Sequence, residues 1–175
     1  SLHDALPISG QENWNLTKDS ALKAAAKIYK YTLEGQKVWE FTPGWETWGG
    51  DMSRDGKYVA YVLYAGTGVG ASYKGGFTIG LVDGLTGREV WKKTGEKVYE
   101  SYEIVFSDDA RFLAVGSTGS GQVALLQREM GTTLWTAPIA GELEGGFGQV
   151  RRMKFDATGE FLYVGSGDNY LRKIR

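Results

Sequence analysis

An all-β fold, a partial β-propeller of four-stranded antiparallel blades, is what this 175-residue sequence predicts, and three observations carry the prediction. The first is a turn glycine followed four residues later by a tryptophan, found as Gly35 with Trp39, Gly87 with Trp91 and Gly131 with Trp135. The second is a polar turn running into an aromatic and then an apolar stretch, at residues 53–62, 107–116 and 156–165. The third is composition: 26 glycines and 13% aromatic residues, against a usual glycine share of about 7%, suit many short strands joined by tight turns. The turn glycines recur 52 and 44 residues apart and the polar turns 54 and 49 apart, always in the same relative order. Periods of that length mean a repeated supersecondary unit.

Taken in chain order, residues 1–9 match no repeat and hold the only histidine, His3. They resemble the translated adapter leader of many truncated metagenomic reading frames, so a native chain is expected to begin elsewhere. Residues 10–26 read as irregular or as a short helix, because 19–28 combines good helix formers with Asp19 or Ser20 as a cap. From Lys27 the pattern alternates at period two into the Gly35 turn, and 36–42 follows with Trp39. These two runs are the third and fourth strands of an incomplete blade.

In the next units an apolar residue (Met52, Phe106, Phe155) ends a first strand, and a polar turn reverses the chain. A nearly continuous apolar run then makes a second strand expected to be buried on both faces. Residues 78–83, 122–127 and 170–175 are third strands, and the runs carrying Trp91 and Trp135 are fourth strands. The blades therefore fall at about 27–42, 45–93, 98–136 and 147–175, two complete and two incomplete. Closed propellers use about four to eight blades, so this chain is expected to be an arc of a larger ring.

Asp83, Thr86, Gly87 and Trp91 stand in the spacing Asp-x-x-Thr-Gly-x-x-x-Trp, which resembles the tryptophan-docking repeat of the quinoprotein-like β-propellers. Trp39 and Trp135 hold the same place in altered copies, with Tyr31 and Gln127 for the Asp and Glu34 and Met130 for the Thr. The polar-turn signature is similar to that of WD40-like and YVTN-like propellers, and together the two marks cover most of residues 27–175. The resemblance implies that the three tryptophans pack between neighbouring blades. It also implies an extracytoplasmic setting and further blades in a longer parent chain. Quinoprotein alcohol dehydrogenases of this kind use a catalytic Asp, calcium ligands and often adjacent cysteines over the quinone. This sequence has no cysteine and no segment matching such a site, so no catalytic, cofactor-binding or metal residue is carried over.

The residues themselves narrow the chemistry. With one histidine and no cysteine, neither Ser-His-Asp nor Cys-His nucleophilic catalysis can be assembled, and zinc sites fail likewise. A net charge of −1 and pI near 5.9 give no footprint for nucleic acid. No apolar run approaches the ~20 residues of a membrane-spanning helix. Residues 66–71 superficially match a dinucleotide loop, but a strand follows where the phosphate-binding helix should begin. The acidic pairs Asp51 with Asp55 and Asp108 with Asp109 read as turn residues. Asn15-Leu16-Thr17 fits a glycosylation acceptor that has meaning only in a secretory context.

Strand alternation puts the second-to-third and blade-to-blade connections on one face, and these vary in length, as 65–77 against 117–121 and 43–46 against 137–148. The opposite face carries short, uniform turns. Length variation confined to one side of a scaffold is where binding usually lives. Trp45, Trp48, Tyr73, Phe77, Tyr99, Glu142 and Glu144 are the expected contacts for a protein or small ligand there. Gly49, Glu103 and Arg152 fall at equivalent first-strand positions nearest the axis, which predicts a Glu103–Arg152 contact across a blade seam. The expected function is a non-catalytic interaction or ligand-binding platform. The alternatives are a piece of a propeller enzyme, a quinone-dependent dehydrogenase or hydrolase with its site in other blades, and a sugar or cell-surface binding module, favoured if Trp45 and Trp48 face solvent.

Overall fold

A computed structural model describes residues 26–44, 46–67, 74–95, 101–117, 120–139 and 150–175. The segment 1–9 and all but the last residue of 10–26 lie outside the described residues. Thirteen strands run in chain order within them: β1 (Ala26–Tyr31), β2 (Lys37–Gly44), β3 (Glu46–Met52), β4 (Tyr58–Thr67), β5 (Lys74–Asp83), β6 (Glu89–Thr94), β7 (Ser101–Phe106), β8 (Phe112–Ser117), β9 (Gln122–Gln127), β10 (Thr132–Pro138), β11 (Val150–Phe155), β12 (Leu162–Ser166) and β13 (Leu171–Ile174). They form four antiparallel sheets, β1-β2, β3-β4-β5-β6, β7-β8-β9-β10 and β11-β12-β13, each an up-and-down meander. The first strands β3, β7 and β11 lie side by side, which sets the inner edge of the arc. The fold is all-β, a partial β-propeller with two whole blades and two incomplete ones.

Three apolar clusters hold the blades together, one per seam. Ile28, Trp39, Val59, Tyr61, Leu63 and Val82 fill the first, with Phe41 and Met52 against them. Ala60, Val62, Ile79 and Leu81 of the second blade meet Ile104, Leu113, Val115 and Leu126 of the third in the next. Ala114 and Val123 meet Val150, Met153, Leu162 and Val164 in the last. Each fully buried aliphatic side chain stabilises by about 1.5–3 kcal/mol relative to exposure, so the seams dominate the stability of the arc.

Residues 59–63 of β4 and 113–115 of β8 are buried on both faces, since each strand is sandwiched between two seams. β12 departs from that expectation: Leu162 and Val164 are buried while Tyr163 is exposed. Only one side of β12 packs on another sheet among the described residues.

The loop expected at 65–77 is shorter. β4 continues through Thr67 and β5 begins at Lys74, with Ala65 opposite Gly76 and Gly66 opposite Gly75, so the connection shrinks to 68–73. Glycine lowers β-propensity by offering no side chain to pack, but ladder hydrogen bonds need only backbone. Likewise β2 runs through Gly44 and β3 starts at Glu46, leaving Trp45 alone between them.

On the opposite face the β3–β4 and β7–β8 turns share one plan. Ser53 Oγ donates to Asp55 (2.8 Å) and accepts the Tyr58 amide (2.9 Å); Ser107 does the same with Asp109 (2.7 Å) and Phe112 (3.0 Å). These turns and that between β11 and β12 require one residue at positive φ, filled by Gly56 and Gly159 and, unexpectedly, by Ala110 at φ 56°. The Ala110 methyl is buried in the cluster between the second and third blades, which offsets the cost of its backbone.

Candidate functional site: the seams and the inner wall

The Asp-x-x-Thr-Gly turn is closed by Asp83, whose carboxylate accepts the amides of Leu85 (2.9 Å) and Thr86 (2.8 Å) and the Thr86 hydroxyl (3.0 Å). Gly87 follows at φ 73°, and a Cβ there would lie 2.9 Å from the Trp39 ring of the preceding blade. Trp39 reaches forward across the seam, its indole N–H donating to the Gly84 carbonyl at 3.0 Å, where Lys30 Nζ donates as well (3.0 Å). The next seam repeats this: Trp91 donates to the Arg128 carbonyl at 2.6 Å, and its ring lies 3.1 Å from where a Gly131 Cβ would stand. Trp135 is half-buried against the third cluster. The four-residue spacing thus serves two seams at once, the glycine seating one tryptophan and its own tryptophan reaching onward.

Of the expected contacts on the variable face, Trp45, Tyr73, Tyr99, Glu142 and Glu144 lie outside the described residues. Trp48 is the extra residue of a β-bulge in β3, between Thr47 paired with Leu63 and Gly49 paired with Val62. Phe77 lies in β5 rather than a loop, opposite Tyr64, and packs half-buried on the cluster between the second and third blades.

The same bulge recurs before Glu103 in β7 and before Arg152 in β11. A bulge re-aims the side chain that follows it, and here it sets equivalent positions on the inner wall. Arg152 Nη1 lies 3.2 Å from Glu103 Oε2 across the seam between the third and fourth blades, where the sequence places the pair. With the guanidinium 85% exposed, the pair contributes about 0–1 kcal/mol. Burial pushes the Glu103 carboxyl above its usual range, against the pull of Arg152 and of the Met153 amide, and the nearby charge of Asp51 adds to the rise.

Asp51 is a residue that sequence reasoning misassigned. It sits in β3, not in a turn, and its carboxylate accepts the Phe106 amide of the next blade at 2.8 Å and the Met52 amide at 2.8 Å. Burial raises its pKa, with the two amides opposing. The signal was its position two residues before Ser53, inside the first strand.

Beside Asp51 a cleft of about 280 Å³ opens on the short-turn face at the inner ends of three blades. Met52, Val105, Phe106, Met153 and Phe155 line it, with Arg54, Asp108 and Lys154 at the rim. Arg54 Nη1 and Asp108 Oδ2 close one side, 3.1 Å apart. Among the described residues no group of three or more acidic or histidine side chains is placed to hold a metal ion, and no helix is long and apolar enough to cross a membrane.

The turn aspartates make the arc acid-sensitive. Partial burial alone would raise Asp109, but the Arg111 amide, the Ser107 hydroxyl and the Arg111 guanidinium hold it down to about 2. A folded pKa below the unfolded one contributes stability above the unfolded value, and that stability is lost as pH falls through the folded value. Melting temperature is therefore expected to drop between pH 4 and 2, and Asp109→Asn to flatten that drop in calorimetric scans. Asp51 and Glu103 act with the opposite sign, their raised values adding stability as pH falls, so an undiminished slope in Asp109→Asn would refute the assignment.

No family model and no curated protein matches this sequence. Among solved structures the chain is similar to hydrazine synthase of Kuenenia stuttgartiensis, at 18% identity and TM-score 0.57, over 80% of this chain and 43% of that one. It is also similar to the dihydro-heme d1 dehydrogenase NirN in complex with DHE, at 14% identity and TM-score 0.63, over 87% of this chain and 33% of that one. A weaker overlay, at 13% identity and TM-score 0.44, is with the β-propeller domain of Myceliophteria thermophila Cps50 (Swd1), over 85% of this chain and 58% of that one. The chain spans less than half of the first two proteins, and the likeness extends to the propeller fold.

Proposed function

We propose that this chain is a non-catalytic segment of a quinoprotein-like or WD40-like propeller that serves as a protein-interaction or ligand-binding platform, with the variable connections as its working face. One observation carries the reading: the inequality of the two faces. Every described connection on the short-turn face spans four to six residues between strand ends, whereas those on the other face range from Trp45 alone to the stretch 139–149. Turns of uniform length are scaffold; unequal loops on a rigid scaffold are where recognition is built. The charged groups on the inner wall are committed to seam contacts, as Asp51 and Glu103 show. That two of the overlaid proteins bear enzyme names bears on fold alone at these identities.

The test introduces a photo-crosslinking amino acid at position 71 or 144 on the variable face, and at 57 or 111 on the other, in the full-length protein. Adducts confined to 71 and 144 support the reading; adducts at 57 or 111 alone, or equally at all four, overturn it. A shift in quinone absorbance on adding pyrroloquinoline quinone with calcium would overturn the non-catalytic part.

A further inference from the structure

We draw no further inference here: the strongest candidate, the row of exposed apolar residues along the outer rim of the short-turn face, with Leu33, Leu85 and Met130 in the hairpin turns and Val38, Val90 and Leu134 just after them, recurs on three successive blades, but nothing in the structure shows what covers it.

Discussion

Gly80→Ala is expected to destabilise the chain by about 3 kcal/mol, the upper end of what overpacking a core costs. A Cβ at position 80 would stand 2.2 Å from Tyr61 Cζ and 2.3 Å from its Oη. Tyr61 cannot move aside: it is fully buried in β4, its ring lies 5.6 Å from that of Phe41, and its hydroxyl donates to Glu89 at 2.9 Å. Burial, with Glu89 beside it, holds the phenol protonated far above the ordinary tyrosine range. For a chain of this length the loss corresponds to roughly 10 °C in melting temperature. The cause is separable from ordinary loss of glycine in a strand, which by propensity alone would favour alanine. In a Tyr61→Leu background the colliding atoms are gone, so Gly80→Ala should be nearly neutral there. Equal cost in both backgrounds would show that the ring is not what excludes the methyl.

Tyr61 and Gly80 also mark the boundary of what the sequence makes legible. Periodicity and turn chemistry are local, so strand existence, blade count and the repeated turns could be read from residues within a few positions of one another. The Glu103–Arg152 contact was also within reach, because aligning repeats puts equivalent positions of adjacent blades side by side. Contacts that depend on exact register were not. Nothing near Gly80 announces that the residue opposite is a tyrosine pointing toward it, nor does Asp51 announce an amide in the next blade. The glycine-rich ends of β4 and β5 read as loop, since their pairing rests on backbone alone. The expected contacts on the variable face fall mostly where turn chemistry has least to say.

Trp39→Ala should cost about 3–5 kcal/mol, as expected for deleting a buried aromatic ring, and Trp39→Phe about 1 kcal/mol. The phenylalanine keeps most of the ring in the first seam but cannot donate to Gly84, whose carbonyl retains Lys30 as a donor. A lost neutral hydrogen bond with no orphaned partner lies at the low end of the usual range. Gly87→Ala then isolates the seat itself. Its φ of 73° makes any side chain there cost about 1–2 kcal/mol, and the 2.9 Å approach to the Trp39 ring adds a steric part. Gly35 supplies the internal control, with φ 81° and nothing within 4 Å of an added Cβ. Gly35→Ala should thus show the backbone cost alone. Gly87→Ala should exceed it by about 1 kcal/mol or more, and the excess should vanish when Trp39 is alanine, a coupling of the size found for residues in contact. If both glycine variants cost the same with Trp39 in place, the tryptophan does not rest on the turn, and the four-residue spacing that runs through the chain has some other cause.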